Sequence, residues 1–224
     1  MKKVALLIGG TGLIGSHLLE RLSEDDFYSE IIVLIRNQPS KSLDDNLGSN
    51  ITFRLIDFSN LNEELKDTRC DDIYCCIGTT IKKAGGQAEF EKVDFTIPLS
   101  IGKLLKGNGA KRFFLISSAY ANSNSKSFYL KTKGKLEEAL KDINFESLII
   151  LRPSVLDGNR KEFRFFEEMA IKVGRIFSVI PALDSFTPIK VEKITACLME
   201  KRKLKNKKYT IVESTQIKRI KCEN

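Results

Sequence analysis

Tyr129 and Lys133 are the residues whose types and spacing point most directly to chemistry. Residues four positions apart lie on the same face of an α-helix, so the Lys133 ammonium would lie beside the Tyr129 phenol. A neighbouring positive charge favours the phenolate and lowers the pKa of a tyrosine from about 10 toward the working pH. The pair therefore predicts a general acid/base that exchanges a proton with a substrate oxygen.

Two serines precede this pair in the chain. Ser117 and Ser118 end an apolar segment eleven or twelve residues before Tyr129. A serine hydroxyl at the end of a strand can hydrogen-bond a substrate oxygen, and the sequence leaves open which of the two does so. Of the five tyrosines in the sequence, only Tyr129 has a lysine four residues later. We therefore predict a catalytic group of Tyr129, Lys133 and a serine at position 117 or 118.

A glycine-rich turn near the first residues predicts a nucleotide site. It follows the apolar run of residues 4–8 and reads Gly9-Gly10-Thr11-Gly12-Leu13-Ile14-Gly15. Glycine lets the backbone approach a pyrophosphate, and the helix that opens here directs its free N–H groups at the anion. The spacing matches the dinucleotide-binding pattern; the alternative is a strand-to-helix turn with no ligand. The expected dinucleotide contacts are Gly9, Thr11, Gly12, Leu13, Ile14 and Gly15.

Further cofactor contacts are expected at the ends of later strands. The second strand ends in Arg36, at the place where an acidic residue would hold the ribose hydroxyls of NAD. Arginine instead offers a planar donor fork to a 2′-phosphate, so Arg36 favours NADP(H), with NAD(H) or a plain surface arginine as the alternatives. Asp57 and Phe58 are expected beside the adenine. The segment expected under the nicotinamide ribose is Gly78, Thr79 and Thr80.

Alternating strand and helix patterns would place these residues at one edge of a parallel sheet. Short apolar segments predict six strands, at 3–8, 31–35, 52–57, 73–77, 113–117 and 147–151. Helical spacing predicts helices over 12–24, 91–106 and 128–141, with a short helical turn at 61–66. We therefore expect an α/β fold, a doubly wound parallel sheet of the Rossmann type, with ligands at the carboxyl ends of the strands.

Composition is that of one globular domain over residues 1–224, with 42% hydrophobic and 29% charged residues. After Arg152-Pro153 the alternation fades, and residues 157–188 are where a substrate lid or small cap is expected. The alternatives for its apolar stretch at 163–177 are a partner-docking helix and ordinary core packing of an amphipathic helix. The net charge of +8 arises mostly from residues 201–224, a basic C-terminal segment that we interpret as a solvated terminus. A nucleic-acid partner is not expected, because only Tyr209 interleaves with these lysines to stack on bases.

The five cysteines form no CxxC pair, so we expect reduced thiols and neither a disulfide framework nor a metal site. No segment approaches the roughly 18 apolar residues that a membrane span needs. We therefore expect a cytoplasmic protein with no membrane partner, acting on a small-molecule substrate as a monomer or homodimer.

Together these motifs resemble the short-chain dehydrogenase/reductase superfamily in its atypical and extended branches, in particular the Tat-interactive-protein-like NADPH-binding oxidoreductases. The resemblance covers roughly residues 3–190. It rests on the glycine turn, Cys75-Cys76-Ile77-Gly78-Thr79-Thr80, Lys83-Ala84-Gly85, Val93-Asp94, Ser117-Ser118, Tyr129-Leu130-x-x-Lys133-Gly134 and Arg152-Pro153-x-Val155-Leu156. Where the better-known branch has Asn-Ala-Gly after the fourth strand, this sequence has Gly78-Thr79-Thr80, so an asparagine-assisted proton relay is not expected.

The resemblance implies a Rossmann fold that binds NADP(H), with Pro153 and Val155 among the cofactor contacts. It also implies that Tyr129 is the proton donor or acceptor, that Lys133 bridges the nicotinamide ribose, and that a serine at 117 or 118 orients the substrate. The expected function is hydride transfer to or from a carbonyl or alcohol substrate. The alternative is an NADPH-binding redox-sensing or regulatory protein without strong turnover.

Overall fold

The computed structural model describes residues 3–38, 47–154, 156–157, 188–204 and 208–221. Its strands are β1 Lys3–Ile8, β2 Tyr28–Ile35, β3 Ile51–Leu55, β4 Asp72–Cys75, β5 Arg112–Ile116, β6 Ser147–Arg152, β7 Leu156–Asp157, β8 Ile189–Lys190 and β9 Tyr209–Glu213. Seven of them form one parallel sheet in the order β3-β2-β1-β4-β5-β6-β9, and β7 pairs with β8 separately. The order reverses between β1 and β4, as in a doubly wound Rossmann fold. The predicted fold class is confirmed.

The helices follow the predicted pattern with shifted ends. They are α1 Leu13–Ser23, α2 Leu61–Leu65, α3 Ile81–Ala84, α4 Gln87–Glu91, α5 Ile97–Gly107, α6 Phe128–Asp142, α7 Val191–Arg202 and α8 Ser214–Lys218. A π-helical turn, Lys92–Thr96, joins α4 to α5, so the helix predicted over 91–106 is interrupted near its start. Such turns are rare and occur often at functional sites.

Two apolar cores lie on the two faces of the sheet. Successive strand residues point to opposite faces, so Leu7 lies in one core while Leu6 and Ile8 lie in the other. The first core is closed by α1 and α7, which pack against each other. The second core is closed by α2, α5 and α6. The strands are therefore covered on both sides, which leaves the carboxyl edge of the sheet for ligands.

Strand β9 corrects the interpretation of residues 201–224 as a solvated terminus. Tyr209–Glu213 pairs in parallel with β6 and is followed by α8, and the Val212 side chain is buried. The strand was missed because its five residues lie among lysines, and the charge of this stretch obscured a short β-branched run. Without β9 the β6 backbone groups that it pairs with would be unpaired at the sheet edge.

The proposed lid of residues 157–188 lies almost wholly outside the described residues. Its first residue, Asp157, is in β7, and Pro188 directly precedes β8. Because β7 and β8 pair, the two ends of the stretch lie side by side.

Candidate cofactor and catalytic site

Two adjoining cavities lie at the carboxyl ends of the strands. We call them the β2-side cavity, about 520 Å³, which reaches Arg36 and Phe58, and the β5-side cavity, about 300 Å³, which reaches Tyr129 and Ser118. Residues that line both of them are Gly12, Cys76, Ile77, Gly78, Thr79 and Lys83. The two cavities therefore form one groove across the point where the strand order reverses, which is where doubly wound folds bind ligands.

The glycines of the turn after β1 have different local surroundings. Gly9 has φ +83°, and a Cβ there would lie 2.7 Å from the Cys76 carbonyl carbon in the adjacent chain segment. A Cβ at Gly15 would lie 2.0 Å from the Gly9 carbonyl oxygen, so Gly15 lets α1 pack against the turn. At Gly12 a Cβ would meet only the Gly9 carbonyl oxygen, at 3.3 Å, on the side that lines both cavities. Gly9 and Gly15 shape the turn, whereas Gly12 leaves room beside it.

The start of α1 is suited to an anion. Gly12 is its N-cap, no side chain caps its first N–H groups, and its first turn contains no acidic residue. These N–H groups and the positive end of the helix dipole would bind a phosphate. Thr11 lines the β2-side cavity, and Leu13 and Ile14 line the β5-side cavity. Of the predicted turn contacts Gly15 alone borders neither cavity, and the arrangement fits a pyrophosphate at Gly12.

Tyr129 and Lys133 lie on the groove side of α6, as their spacing predicts. Both side chains line the β5-side cavity, and both residues are buried, with 8% and 5% of the whole-residue surface exposed. The Tyr129 ring packs against Phe90 at a centroid distance of 5.5 Å. The next residue, Gly134, allows close packing of the loop after β5, because a Cβ there would lie 2.2 Å from the Ser123 nitrogen. The helix is thereby fixed against the loop that follows the two predicted serines.

Lys133 forms a buried ion pair with Asp94, a residue of the π-helical turn. The distance from Lys133 Nζ to Asp94 Oδ1 is 2.7 Å, and Asp94 Oδ2 accepts a hydrogen bond of 2.9 Å from the Thr79 N–H. Burial alone would lower the pKa of Lys133, but the charge of Asp94, with a smaller contribution from Tyr129, raises it above its usual value. The lysine is therefore held as an ammonium ion.

Asp94 lines the β5-side cavity and was not predicted as a site residue. A signal was present in the sequence, because Phe90, Asp94, Ile97 and Ile101 follow one another at the spacing of one helix face. In the structure all four are buried. A carboxylate on an otherwise apolar helix face is rarely fully buried without a partner. The sequence did not show that this partner is Lys133.

The two predicted serines differ in their hydrogen bonds. The Ser117 hydroxyl donates to the buried carboxylate of Glu137, which is also paired with Arg152. The hydrogen bonds that Arg152 donates to Glu137, together with the charge of that carboxylate, raise the pKa of Arg152, so its guanidinium stays charged. Within the described residues, the Ser118 hydroxyl makes only a long hydrogen bond of 3.3 Å to the Ala119 carbonyl oxygen. Both serines line the β5-side cavity, but Ser118 has the hydroxyl more readily given to a ligand.

The predicted adenosine contacts are only partly brought together. Arg36 is exposed and lines the β2-side cavity with Phe58. Asp57 does not line either cavity; its carboxylate accepts hydrogen bonds from the Ser59 N–H at 2.8 Å and the Ser59 hydroxyl at 2.7 Å. These bonds, the backbone one foremost, lower the pKa of Asp57. A contact of Asp57 with adenine stays a prediction.

The remaining predicted contacts lie around the β5-side cavity. Gly78, Thr79, Thr80 and Pro153 line it, and the Thr80 hydroxyl also accepts a hydrogen bond from the Lys83 N–H at the start of α3. Val155 lies outside the described residues. Lys83 was not predicted as a site residue and belongs only to the motif Lys83-Ala84-Gly85 that carries the family resemblance. In the structure it borders both cavities.

Within the described parts of the chain, no helix is long and apolar enough to cross a membrane. The same residues contain no group of three or more side chains suited to holding a metal ion.

Comparison with known proteins places this groove in a family. The model of the family described as NAD dependent epimerase/dehydratase matches residues 5–170. The chain is 36% identical over 190 residues to Protein FMP52, mitochondrial, of Meyerozyma guilliermondii, which covers 80% of each chain. It is 31% identical over 171 residues to Protein HTATIP2 of Rattus norvegicus, covering 76% of this chain and 69% of that one. Because the first relative is named as mitochondrial, the cytoplasmic location stays a prediction.

Solved structures share the fold at low sequence identity. MoeE5 in complex with UDP-glucose and NAD has a TM-score of 0.66 and 16% identity, covering 93% of this chain and 75% of its own. UDP-glucuronic acid 4-epimerase from Bacillus cereus in complex with NAD has a TM-score of 0.65 and 17% identity, covering 94% and 77%. The family model and the curated relatives, together with this shared fold, confirm the resemblance to extended short-chain dehydrogenases/reductases. Since the family model and the curated relatives each span most of the sequence, the chain belongs to the NAD-dependent epimerase/dehydratase family.

Proposed function

We propose that this protein is an NADP(H)-dependent oxidoreductase that transfers a hydride to or from a carbonyl or alcohol carbon of a small molecule. One observation carries the proposal: Tyr129, Lys133 and Ser118 line the cavity that continues into the glycine turn. A proton-exchanging phenol, an ammonium ion and a hydroxyl thus border the same groove as the anion-binding helix start. That combination is what oxidation of an alcohol or reduction of a carbonyl requires.

The groove suggests how the cofactor would be bound. The turn at Gly12 and the start of α1 would hold the pyrophosphate, and Phe58 would lie beside the adenine. The exposed guanidinium of Arg36 would pair with a 2′-phosphate. Lys133 and the segment from Gly78 to Thr80 would contact the nicotinamide ribose. MoeE5 and the Bacillus cereus epimerase were solved with NAD, which supports a nicotinamide dinucleotide as the cofactor here. The preference for NADP(H) over NAD(H) rests on Arg36 alone.

The bound nicotinamide would supply or accept the hydride. Tyr129 would give the proton to the substrate oxygen during reduction, or take it during oxidation. Lys133, kept charged inside the groove, would favour the phenolate and fix the ribose. Ser118 would hold the substrate oxygen, because the Ser117 hydroxyl is already donated to Glu137.

Replacement of Tyr129 by phenylalanine tests the proposal. Tyr129→Phe removes only the phenolic oxygen, and its ring keeps the packing against Phe90. We expect kcat to fall by about 10²–10⁴-fold, the usual contribution of general acid–base catalysis. NADPH affinity should stay within a few-fold and thermal stability should be nearly unchanged. The measurement is NADPH oxidation, followed by absorbance, with a panel of aldehydes, ketones and quinones.

Two outcomes would contradict the assignment. Unchanged turnover in Tyr129→Phe would remove the proton-transfer role of Tyr129. Tight NADPH binding by the unmodified protein, without turnover of any carbonyl in the panel, would favour the redox-sensing alternative.

A further inference from the structure

The ion pair between Asp94 and Lys133 is the part of the groove that the proposed chemistry does not yet explain. Both side chains are almost fully buried, with 0% and 6% of their surface exposed, although they border the β5-side cavity. Asp94 lies on the π-helical turn Lys92–Thr96, and Lys133 lies on α6. The pair thus joins two separate elements at the place where the nicotinamide ribose would bind.

The two oxygens of Asp94 have different partners. Oδ1 lies 2.7 Å from Lys133 Nζ, and Oδ2 accepts the hydrogen bond of 2.9 Å from the Thr79 N–H. Thr79 belongs to the segment after β4 that borders both cavities. One carboxylate therefore fixes the position of the lysine relative to the wall of the groove.

Few other groups could balance the charge of Lys133. The titratable groups with the largest effect on its pKa are Asp94 on the π-helical turn, Tyr129 on its own helix and Cys75 at the end of β4. Lys83 lines the same cavity, but a second amine cannot balance the charge. Burial raises the pKa of the Cys75 thiol to about 12, so this thiol is neutral at physiological pH. The Tyr129 phenol is neutral whenever it is ready to donate its proton. In the described part of the site, Asp94 is thus the carboxylate placed to balance the charge of the lysine.

We propose that Asp94 is a positioning residue that supplies the counter-charge for the Lys133 ammonium and fixes it relative to the Gly78–Thr80 wall. This inference rests on the proposed function, because it concerns the lysine that would bind the nicotinamide ribose. Burial favours the neutral form of an amine. Without the carboxylate, Lys133 would lose its proton at a lower pH, and with it the attraction for the phenolate and the directed hydrogen bonds to the ribose.

Asp94→Asn is the sharpest variant. The amide oxygen of asparagine can still accept the Thr79 hydrogen bond, so the substitution removes the charge and retains the shape. Asp71→Asn is the matched control. Asp71 Oδ2 likewise accepts a hydrogen bond, of 3.0 Å, from the Val4 N–H, and Oδ1 lies 3.4 Å from Lys111 Nζ. The Lys111 side chain is 55% exposed, however, so water can solvate it when the carboxylate is removed.

The experiment is a titration of the full chain without cofactor, labelled with carbon-13 at the lysine ε position and followed by NMR. The Lys133 signal is assigned as the one that Lys133→Met lacks. We expect Lys133 in the unmodified protein to stay protonated beyond the ordinary lysine pKa of about 10.4. In Asp94→Asn its titration should move down by more than about one pH unit. Asp71→Asn should leave it unchanged.

NADPH affinity measured by calorimetry from pH 6 to pH 9.5 gives a second readout. Asp94→Asn should lose more affinity over this interval than the unmodified protein or Asp71→Asn, because its Lys133 would lose its proton at a lower pH. Each unit by which the pH exceeds the Lys133 pKa lowers the protonated fraction, and the affinity that depends on it, by about tenfold. An unshifted Lys133 titration in folded Asp94→Asn would overturn the inference. If that variant does not fold, titration of Lys133 at or below 10.4 in the unmodified protein would overturn it as well.

The two proposals fail separately in these measurements. Absence of NADPH binding by the unmodified protein would end the proposed function, while the NMR titration would still decide the role of Asp94. Normal binding and turnover together with an unshifted lysine in Asp94→Asn would end only the inference.

Discussion

Buried charges lie at both edges of the sheet, and their surroundings differ. At the carboxyl edge, Lys133 and Asp94 border the β5-side cavity. At the amino edge, Asp72 accepts hydrogen bonds from Arg112 Nε at 2.6 Å and from the Tyr28 hydroxyl at 2.5 Å. The amino-edge cluster, which borders neither cavity, consists of Asp25, Tyr28, Asp72, Tyr74, Arg112 and Arg202.

The amino-edge cluster connects distant parts of the chain. Arg112 donates to the Arg202 carbonyl oxygen at the end of α7, and Arg202 pairs with Asp25 just after α1. Burial raises the pKa values of Tyr28 and Tyr74, so both phenols stay neutral. With its charges paired by hydrogen bonds and no cavity beside them, the cluster has a structural role. The two edges therefore differ in whether their buried charges border open volume, and only the carboxyl-edge charges do so in the described residues.

The largest effect is expected at the glycine turn, where a structural and a ligand-facing position lie three residues apart. Gly15→Val should prevent folding, because its Cβ would lie 2.0 Å from the Gly9 carbonyl oxygen. Gly12→Val should fold, since its Cβ meets only that oxygen at 3.3 Å, but should occupy the space for the pyrophosphate. Loss of several charge-assisted hydrogen bonds at about 1.5–3 kcal/mol each would weaken NADPH binding more than about a hundredfold.

Circular dichroism establishes whether each glycine variant folds, and calorimetry measures its NADPH binding. Retained NADPH affinity in a folded Gly12→Val protein would show that the turn is structural at all its glycines.

The next effect concerns stability at the amino edge. Asp72→Ala leaves the buried Arg112 without its carboxylate partner, and removing one partner of a buried pair costs about 3–5 kcal/mol. The neighbouring Asp71→Ala removes a partly exposed ion pair that contributes roughly 0–1 kcal/mol and a hydrogen bond from the Val4 N–H that contributes about 1 kcal/mol. Urea unfolding followed by circular dichroism compares the two variants. Equal losses would contradict the structural role of the amino-edge cluster, as would reduced NADPH affinity in folded Asp72→Ala.

Ser117 and Ser118 allow the same comparison, between a structural and a ligand-facing group, inside the groove. Ser118→Ala should lower kcat by about 10²–10³-fold, as removal of one hydrogen-bond donor to a reacting oxygen does. Ser117→Ala should leave kcat within a few-fold and reduce stability by about 1 kcal/mol, because Glu137 keeps its ion pair with Arg152. Steady-state kinetics and thermal unfolding of both variants check this. The reverse order of effects would assign the substrate oxygen to Ser117.

The smallest expected effect is on cofactor choice at the exposed end of the groove. Arg36→Ala should weaken NADPH binding by about tenfold to a hundredfold, which corresponds to a charge-assisted pair of about 1.5–3 kcal/mol. NADH binding should change little, because it has no 2′-phosphate for Arg36 to contact. Calorimetric titration of both dinucleotides measures the ratio. Equal affinity of the unmodified protein for NADPH and NADH would remove the basis for NADP(H) preference.

The sequence by itself determined the elements and the groups that bring chemistry to the groove. Apolar periodicity predicted six strands of the main sheet, and the helix containing Tyr129 and Lys133 was predicted within one residue of its observed end. The positions of the glycine turn and of Ser117-Ser118, each just after a strand, placed them at the carboxyl edge. These predictions succeeded because periodicity and turn chemistry are properties of short stretches of chain.

Only the tertiary structure decided which groups pair with one another. It pairs Lys133 with Asp94, it makes Glu137 the acceptor of the Ser117 hydroxyl, and it brings β9, whose neighbours in the sequence are lysines, into the sheet beside β6. Arg202 likewise pairs with Asp25, a residue 177 positions away, and is buried instead of solvated. The partner of a charged side chain depends on which distant elements pack together. That packing also sets how deeply the side chain is buried and which charges lie beside it, and local residue spacing contains no information on either.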